Sequence, residues 1–172
     1  LEITCMNGEM CIRESGSEEG AKEPVAHPGA KIKEILKEYT SPKVKDLPSF
    51  TGGLVGYFSY DYVKYSEPKL NLDADDQEGF KDVDLMLFDK VIAFDNLRQK
   101  IYIIANARTE NLEQEYDRCL AEIEEIVDLI EHGTPAQITP GKITSEFRPL
   151  FSEQEYCAMV EKAKHYIYEG DI

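Results

Sequence analysis

The sequence predicts an α+β fold, with antiparallel β-sheet packed against helices. Three observations carry this. Runs dense in Val, Ile, Phe and Tyr at 54–60, 84–95 and 100–107 have strand character. Two short turn signals, Asn7-Gly8 and Asn96-Leu97-Arg98-Gln99, suit antiparallel hairpins. Apolar residues then recur at helical spacing through 28–39 and 111–132.

Residues 1–14 read as two short strands around Asn7-Gly8. Cys5 and Cys11 flank that turn and are expected near each other across it, without the further ligands a metal would need. The polar run 15–23 is expected as loop. Pro28 suits a first helical position, and Ile32, Ile35, Leu36 and Tyr39 form the apolar stripe of helix 28–39. Residues 40–49, with two prolines, make a linker.

The chain is best read around the stretch at 50–68, FTGGLVGYFSYDYVKYSEP. Leu54, Gly56, Phe58 and Tyr60 alternate with Val55, Tyr57, Ser59 and Asp61. Both faces carry large apolar groups, so a buried strand is expected. Gly56 inside it implies close approach of another backbone or a ligand, because glycine otherwise weakens a strand. Asp61 is expected to cap a short helical turn that Pro68 ends.

Residues 70–82 form the most acidic loop, where Asp73, Asp75 and Asp76 suggest calcium. An EF-hand needs Gly at its sixth position and Glu at its twelfth, and these fall on Glu78 and Asp84, so a solvated loop is expected. Strands 84–95 and 100–107 should pair as a hairpin. In helix 111–132 the buried stripe is Leu112, Tyr116, Leu120, Ile123, Val127 and Ile130, with Gly133 and Pro135 as stops. Helices 28–39 and 111–132 are expected on one side of the sheet. The connector 134–144 marks a boundary between a domain at 1–144 and the start of a second at 145–172. The second opens with Ser152-Glu153-Gln154-Glu155, a capping box, and continues with an apolar face of Tyr156, Met159, Val160, Ala163 and Ile167. Gly170 closes this helix, and Asp171-Ile172 is expected to begin a strand.

Nineteen basic against thirty-four acidic side chains leave a formal charge of −15. That field repels phosphate backbones and anionic lipid, which argues against nucleic-acid and membrane partners. No apolar run approaches the roughly 20 residues of a membrane helix, and no signal peptide is visible. Cys5, Cys11, Cys119 and Cys157 are scattered, as expected of reduced thiols in a cytoplasmic protein. The start at Leu1 and the stop just past a helix read as an excised piece.

Catalytic constellations are missing from this reading. Gly52-Gly53-x-x-Gly56 lacks the lysine and hydroxyl residue of a phosphate loop, and no nucleophile elbow surrounds Ser59. His27, His132 and His165 have no carboxylate and nucleophile at recognisable spacing. No catalytic residue and no metal ligand is therefore assigned.

The segment at 50–68 resembles, almost residue for residue, the hallmark of the N-terminal region of anthranilate synthase component I, in the chorismate-utilising enzyme family. Three further blocks are similar in the same order: 28–39, the DKVIAFDNLRQKIYIIAN run at 89–106, and FSEQEYCAMVEKAKHYIYEGDI from Phe151 onward. The last resembles the helix opening the chorismate-binding domain. The resemblance implies a parent enzyme that converts chorismate and ammonia to anthranilate and pyruvate with Mg²⁺. Ammonia would come from a glutamine amidotransferase subunit. The family's substrate and metal ligands belong beyond Ile172, and its L-L-E-S-type feedback segment before Leu1, so the piece alone is expected to be inactive. A similar N-terminal region in aminodeoxychorismate synthase component I supplies the rival enzyme. A third reading is a non-catalytic module binding the amidotransferase or an effector such as L-tryptophan. Gly56, Ser59, Tyr60 and Asp61 are the candidate effector-binding residues. Bare sheet edges add an expectation of self-association.

Overall fold

The structure, a computed structural model, describes residues 1–72 and 76–171. The chain forms two compact units, Leu1–Thr134 and Pro135–Ile172. The first is built from two antiparallel sheets, each with its own helix.

In the larger sheet, β1 (Glu2–Met6) and β2 (Glu9–Arg13) make the expected hairpin, with Asn7 and Gly8 at φ 50° and 80°. Positive φ at both positions is what a tight turn of this hand requires. Its register corrects one expectation. Cys5 lies opposite Met10 and Cys11 opposite Thr4, so the two thiols point to opposite faces. Both are free.

β3 (Ala21–Pro24) pairs with β2 where only loop was expected. Four residues ending in proline carry little strand signal, and this strand sits at a sheet edge, where proline is tolerated. α1 (Pro28–Glu38) follows as read.

β4 (Gly53–Phe58) pairs with β5 (Val83–Phe88), which in turn pairs with β1. The strand order is β3-β2-β1-β5-β4. β4 is thus the second edge, and the expectation of a buried strand fails. Val55, Tyr57 and Phe58 are 46%, 40% and 51% exposed. Alternation reports which face a residue takes, but not whether a neighbouring strand covers it.

One face of the sheet is dry. Ile3 and Cys5 of β1, Met10 of β2, and Val83 and Leu85 of β5 pack with Ile32 of α1. Each fully buried aliphatic side chain contributes about 2 kcal/mol. Tyr62 and Tyr65 close one end of this core from α2 (Tyr60–Tyr65), a 3₁₀ turn. Ser59 occupies the cap position there, with Asp61 in the first turn, and no side chain caps it.

The expected single strand over 84–95 divides at Asp89. Its carbonyl accepts from both Asn106 N and Asn106 Nδ2, which turns the chain out of the first sheet. β6 (Lys90–Asp95) and β7 (Lys100–Ala105) form a separate two-stranded sheet. α3 (Leu112–His132) packs on that hairpin, so the two long helices do not share one sheet face. The predicted stripe of α3 holds in part: Ile123 and Val127 are half-buried, while Leu112, Tyr116, Leu120 and Ile130 are 42–59% exposed, and the covered face also takes in Cys119, buried, and Ile126, half-buried. Arg118 orients this face, pairing with Glu115 at 2.8 Å and Glu122 at 2.7 Å and donating to Asn106 O.

In the second unit, α4 (Glu153–Glu169) carries the predicted capping box, and Gly170 ends it at φ 83°. Its apolar residues are exposed within that unit. The strand expected at Asp171-Ile172 falls partly outside the described residues. So does part of the acidic loop that was expected to be solvated rather than calcium-binding, at Asp73 and Asp75; Asp76 accepts from Glu78 N and Gly79 N.

Candidate functional site

A buried polar cluster of the first unit forms where the β1–β2 turn, α2 and the entry to β5 converge. Asp82, immediately before β5, is 3% exposed. Its Oδ2 accepts from Asn7 N and from the Tyr65 hydroxyl, each at 2.7 Å. Its Oδ1 pairs with Lys64 Nζ at 2.7 Å, and that ammonium also donates to Asn7 Oδ1. The Tyr65 oxygen accepts from Gly8 N at 2.7 Å and lies 3.5 Å from Cys5 Sγ.

Burial opposes the Asp82 charge, yet Lys64, Tyr65 and Asn7 N–H together hold its carboxyl below the usual range. Burial pushes the Tyr65 hydroxyl up, helped by Cys5 and Asp82. A carboxylate with both oxygens engaged is a poor general base near neutral pH, and a tyrosine held this firmly neutral releases no proton there. The cluster is a clamp joining three segments.

Beside it, an open groove of about 550 Å³ runs between α1 and α2. His27, Ile32, Phe58, Tyr62 and Tyr65 contribute its walls. Phe58 meets Tyr62 edge-to-face at 4.9 Å, and Tyr62 and Tyr65 lie 5.3 Å apart. A side chain at Gly29 would begin 2.7 Å from the Tyr62 hydroxyl, so glycine lets that ring reach the helix.

The predicted effector residues lie next to this groove in sequence and are not among its lining residues. Gly56 faces the neighbouring backbone of Asp84. Ser59 donates its N–H to Asp82 O at 2.9 Å, and its hydroxyl is buried without a hydrogen-bond partner among the described residues. Tyr60 is 89% exposed and Asp61 half-buried.

The histidines are dispersed: His27 precedes α1, His132 pairs with Asp128 at 3.0 Å, and His165 lies 3.9 Å from Glu169. Among the described residues no three His, Cys, Asp or Glu side chains converge as a metal set. The Mg²⁺ implied by the resemblance therefore has no fitting donor set among the described residues, and both oxygens of Asp82 are already engaged.

The sequence pattern of the chorismate binding enzyme family matches residues 6–172. The chain belongs to that family. Curated members are similar along nearly all of it. Anthranilate synthase component 1 of Acinetobacter calcoaceticus is 33% identical over 99% of this chain and 34% of its own length. The protein of the same name from Aquifex aeolicus is 38% identical over 84% of this chain and 30% of its own. The crystal structure of anthranilate synthase component I from Streptococcus pneumoniae superposes with a TM-score of 0.62 at 22% identity. That match covers 99% of this chain and 36% of that one, and it shows the fold. The chain thus spans about a third of the family members it matches.

Sequence reasoning missed the clamp. Asp82 reads as the last member of an acidic loop, and nothing in its neighbours marks it as buried. The only available signal was Lys64-Tyr65, a cation and a hydroxyl after the aromatic strand, whose partner lies 17 residues past Tyr65.

Proposed function

We propose that this chain is the non-catalytic scaffolding portion of an anthranilate-forming enzyme. The observation that carries the reading is the similarity of the chain, over 84–99% of its length, to about a third of anthranilate synthase component 1 from Acinetobacter calcoaceticus and Aquifex aeolicus. The whole protein would take chorismate and ammonia to anthranilate and pyruvate, with Mg²⁺ held by residues of the remaining two thirds. Ammonia would be delivered by a glutamine amidotransferase partner in the cytoplasm. No described helix is long and apolar enough to cross a membrane. What these residues contribute is rigidity: the Asp82 clamp and the α1-covered sheet hold a fixed surface without offering an acid or base to a substrate. The relatives' names favour anthranilate over the aminodeoxychorismate product. Anthranilate formation by the chain alone, and by the chain joined to the rest of a relative, tests the reading.

The aromatic groove supports a second role, as one wall of an effector site for L-tryptophan flanked by Gly56, Ser59, Tyr60 and Asp61. An indole ring fits the edge-to-face preference of Phe58 and Tyr62. Saturating tryptophan is then expected to raise the thermal midpoint by a few degrees, through mass action on the folded state. An unchanged midpoint at saturation removes this second role and leaves the scaffold reading intact.

A further inference from the structure

The turn of the first hairpin sets a reactive dipeptide against the Asp82 clamp, and its chemistry is independent of any role in chorismate turnover. Of the five asparagines, Asn7 alone precedes a glycine; the others precede leucine or alanine. Asparagine before glycine is the pair most prone to lose its side-chain amide, because no Cβ hinders the approach of the next backbone nitrogen. That nitrogen becomes a nucleophile only once a base has removed its proton.

Here the proton is already engaged. Gly8 N donates to the Tyr65 hydroxyl at 2.7 Å, and that hydroxyl donates in turn to Asp82 Oδ2 at 2.7 Å. The Tyr65 oxygen thus occupies the place that water or hydroxide would need beside the Gly8 N–H. The electrophile is held as well. Asn7 Oδ1 accepts from Lys64 Nζ at 3.0 Å, and Asn7 N donates to Asp82 Oδ2 at 2.7 Å. Strand pairing begins on both sides of the turn, with Met6 opposite Glu9 and Cys5 opposite Met10. Closure of Asn7 Cγ on Gly8 N therefore requires the Gly8–Tyr65 contact to open first.

We propose that Asn7 is a latent deamidation site, kept unreacted by the Asp82 clamp, and that its conversion disables the clamp. With the contact open, Gly8 N loses its proton and bonds to Asn7 Cγ. The Cγ–Nδ2 bond breaks, and the side-chain nitrogen leaves as ammonia with a proton taken up in exchange. One water then opens the succinimide ring at either carbonyl, giving aspartate or isoaspartate with no change of oxidation state. In isoaspartate the main chain runs through Cβ and Cγ, which inserts one carbon between Asn7 N and Gly8 N. Those two nitrogens reach Asp82 and Tyr65 at 2.7 Å each, and the lengthened turn no longer presents them together. The loss of ammonia is not reversed, so a converted chain stays unclamped.

The test follows isoaspartate at Asn7 by peptide mapping of the 172-residue chain, aged in mildly alkaline buffer, with amide exchange read at Gly8. Folded wild type is expected to convert far more slowly than the same chain in urea. Tyr65→Phe removes the acceptor of the Gly8 N–H and should speed conversion in the folded state by roughly tenfold, the factor a single lost hydrogen bond supplies. Gly8 exchange should accelerate with it. Ile32→Val loosens the core without touching the turn and should leave both rates near wild type. The isolated isoaspartyl chain should melt below the unconverted one. Folded wild type reacting as fast as in urea overturns the proposal, as does a Tyr65→Phe rate matched by wild type or by Ile32→Val. An isoaspartyl chain as stable as wild type contradicts the loss of the clamp. Should Tyr65→Phe not fold, wild type in urea below its unfolding transition decides. Conversion should then track Gly8 exchange, and conversion that tracks the core amides of β1 and β5 instead overturns the proposal.

Discussion

Replacing Asp82 with asparagine is expected to lower the folding free energy by about 2–3 kcal/mol. The amide keeps the shape but removes the charge that Lys64 faces at 2.7 Å, and it brings N–H donors against Asn7 N or the Tyr65 hydroxyl. Breaking a buried pair on one side costs about 3–5 kcal/mol, and Lys64, 26% exposed, recovers part of that in water. Urea unfolding followed by circular dichroism measures the change. The pH dependence has a definite sign. The Asp82 carboxyl titrates lower in the fold than its ordinary value, so its stabilisation is fully present above about pH 4 and is lost as pH falls through the folded value. The gap between wild type and Asp82→Asn should therefore narrow in acid. A variant as stable as wild type at pH 7 would show that the cluster clamps nothing.

Gly56→Val is expected to cost more, above about 3 kcal/mol, or to prevent folding. A Cβ at this position would sit 1.9 Å from the Asp84 carbonyl oxygen and 2.9 Å from Leu85 Cα. Both are backbone of the paired strand, so relief requires β4 to separate from β5. Gly141→Ala is the control: a Cβ there meets nothing within 4 Å, and the change should stay within about 0.5 kcal/mol. Thermal midpoints of the two variants decide the matter, and a wild-type midpoint for Gly56→Val would contradict the close approach.

These two residues mark how far the sequence could be read. Gly56 announced itself, because glycine in a run of aromatic and branched residues needs a reason, and a neighbouring backbone was one of two on offer. Asp82 did not, since burial of a carboxylate depends on partners far along the chain. The same division runs through the fold. Turn chemistry at Asn7-Gly8 and the capping box at Ser152 are local and were legible. The edge position of β4, the break at Asp89 and the burial of Cys119 on α3 were not. Each is set by a non-local partner: β5 being shared with β1, the Asn106 side chain, and the Arg118 ion pairs. The four residues expected around an effector do not line the aromatic groove, whose walls come from Phe58, α2 and the distant α1.

The most direct measurement is anthranilate fluorescence from chorismate, ammonium and Mg²⁺. The purified 172-residue chain should give none. Joined in frame to the remaining two thirds of the Aquifex aeolicus relative, it should give anthranilate, and Gly56→Val in that chimera should abolish it by unfolding the scaffold. Anthranilate made by the 172-residue chain alone would contradict a non-catalytic role, as would a folded chimera that releases a non-aromatic aminated product instead.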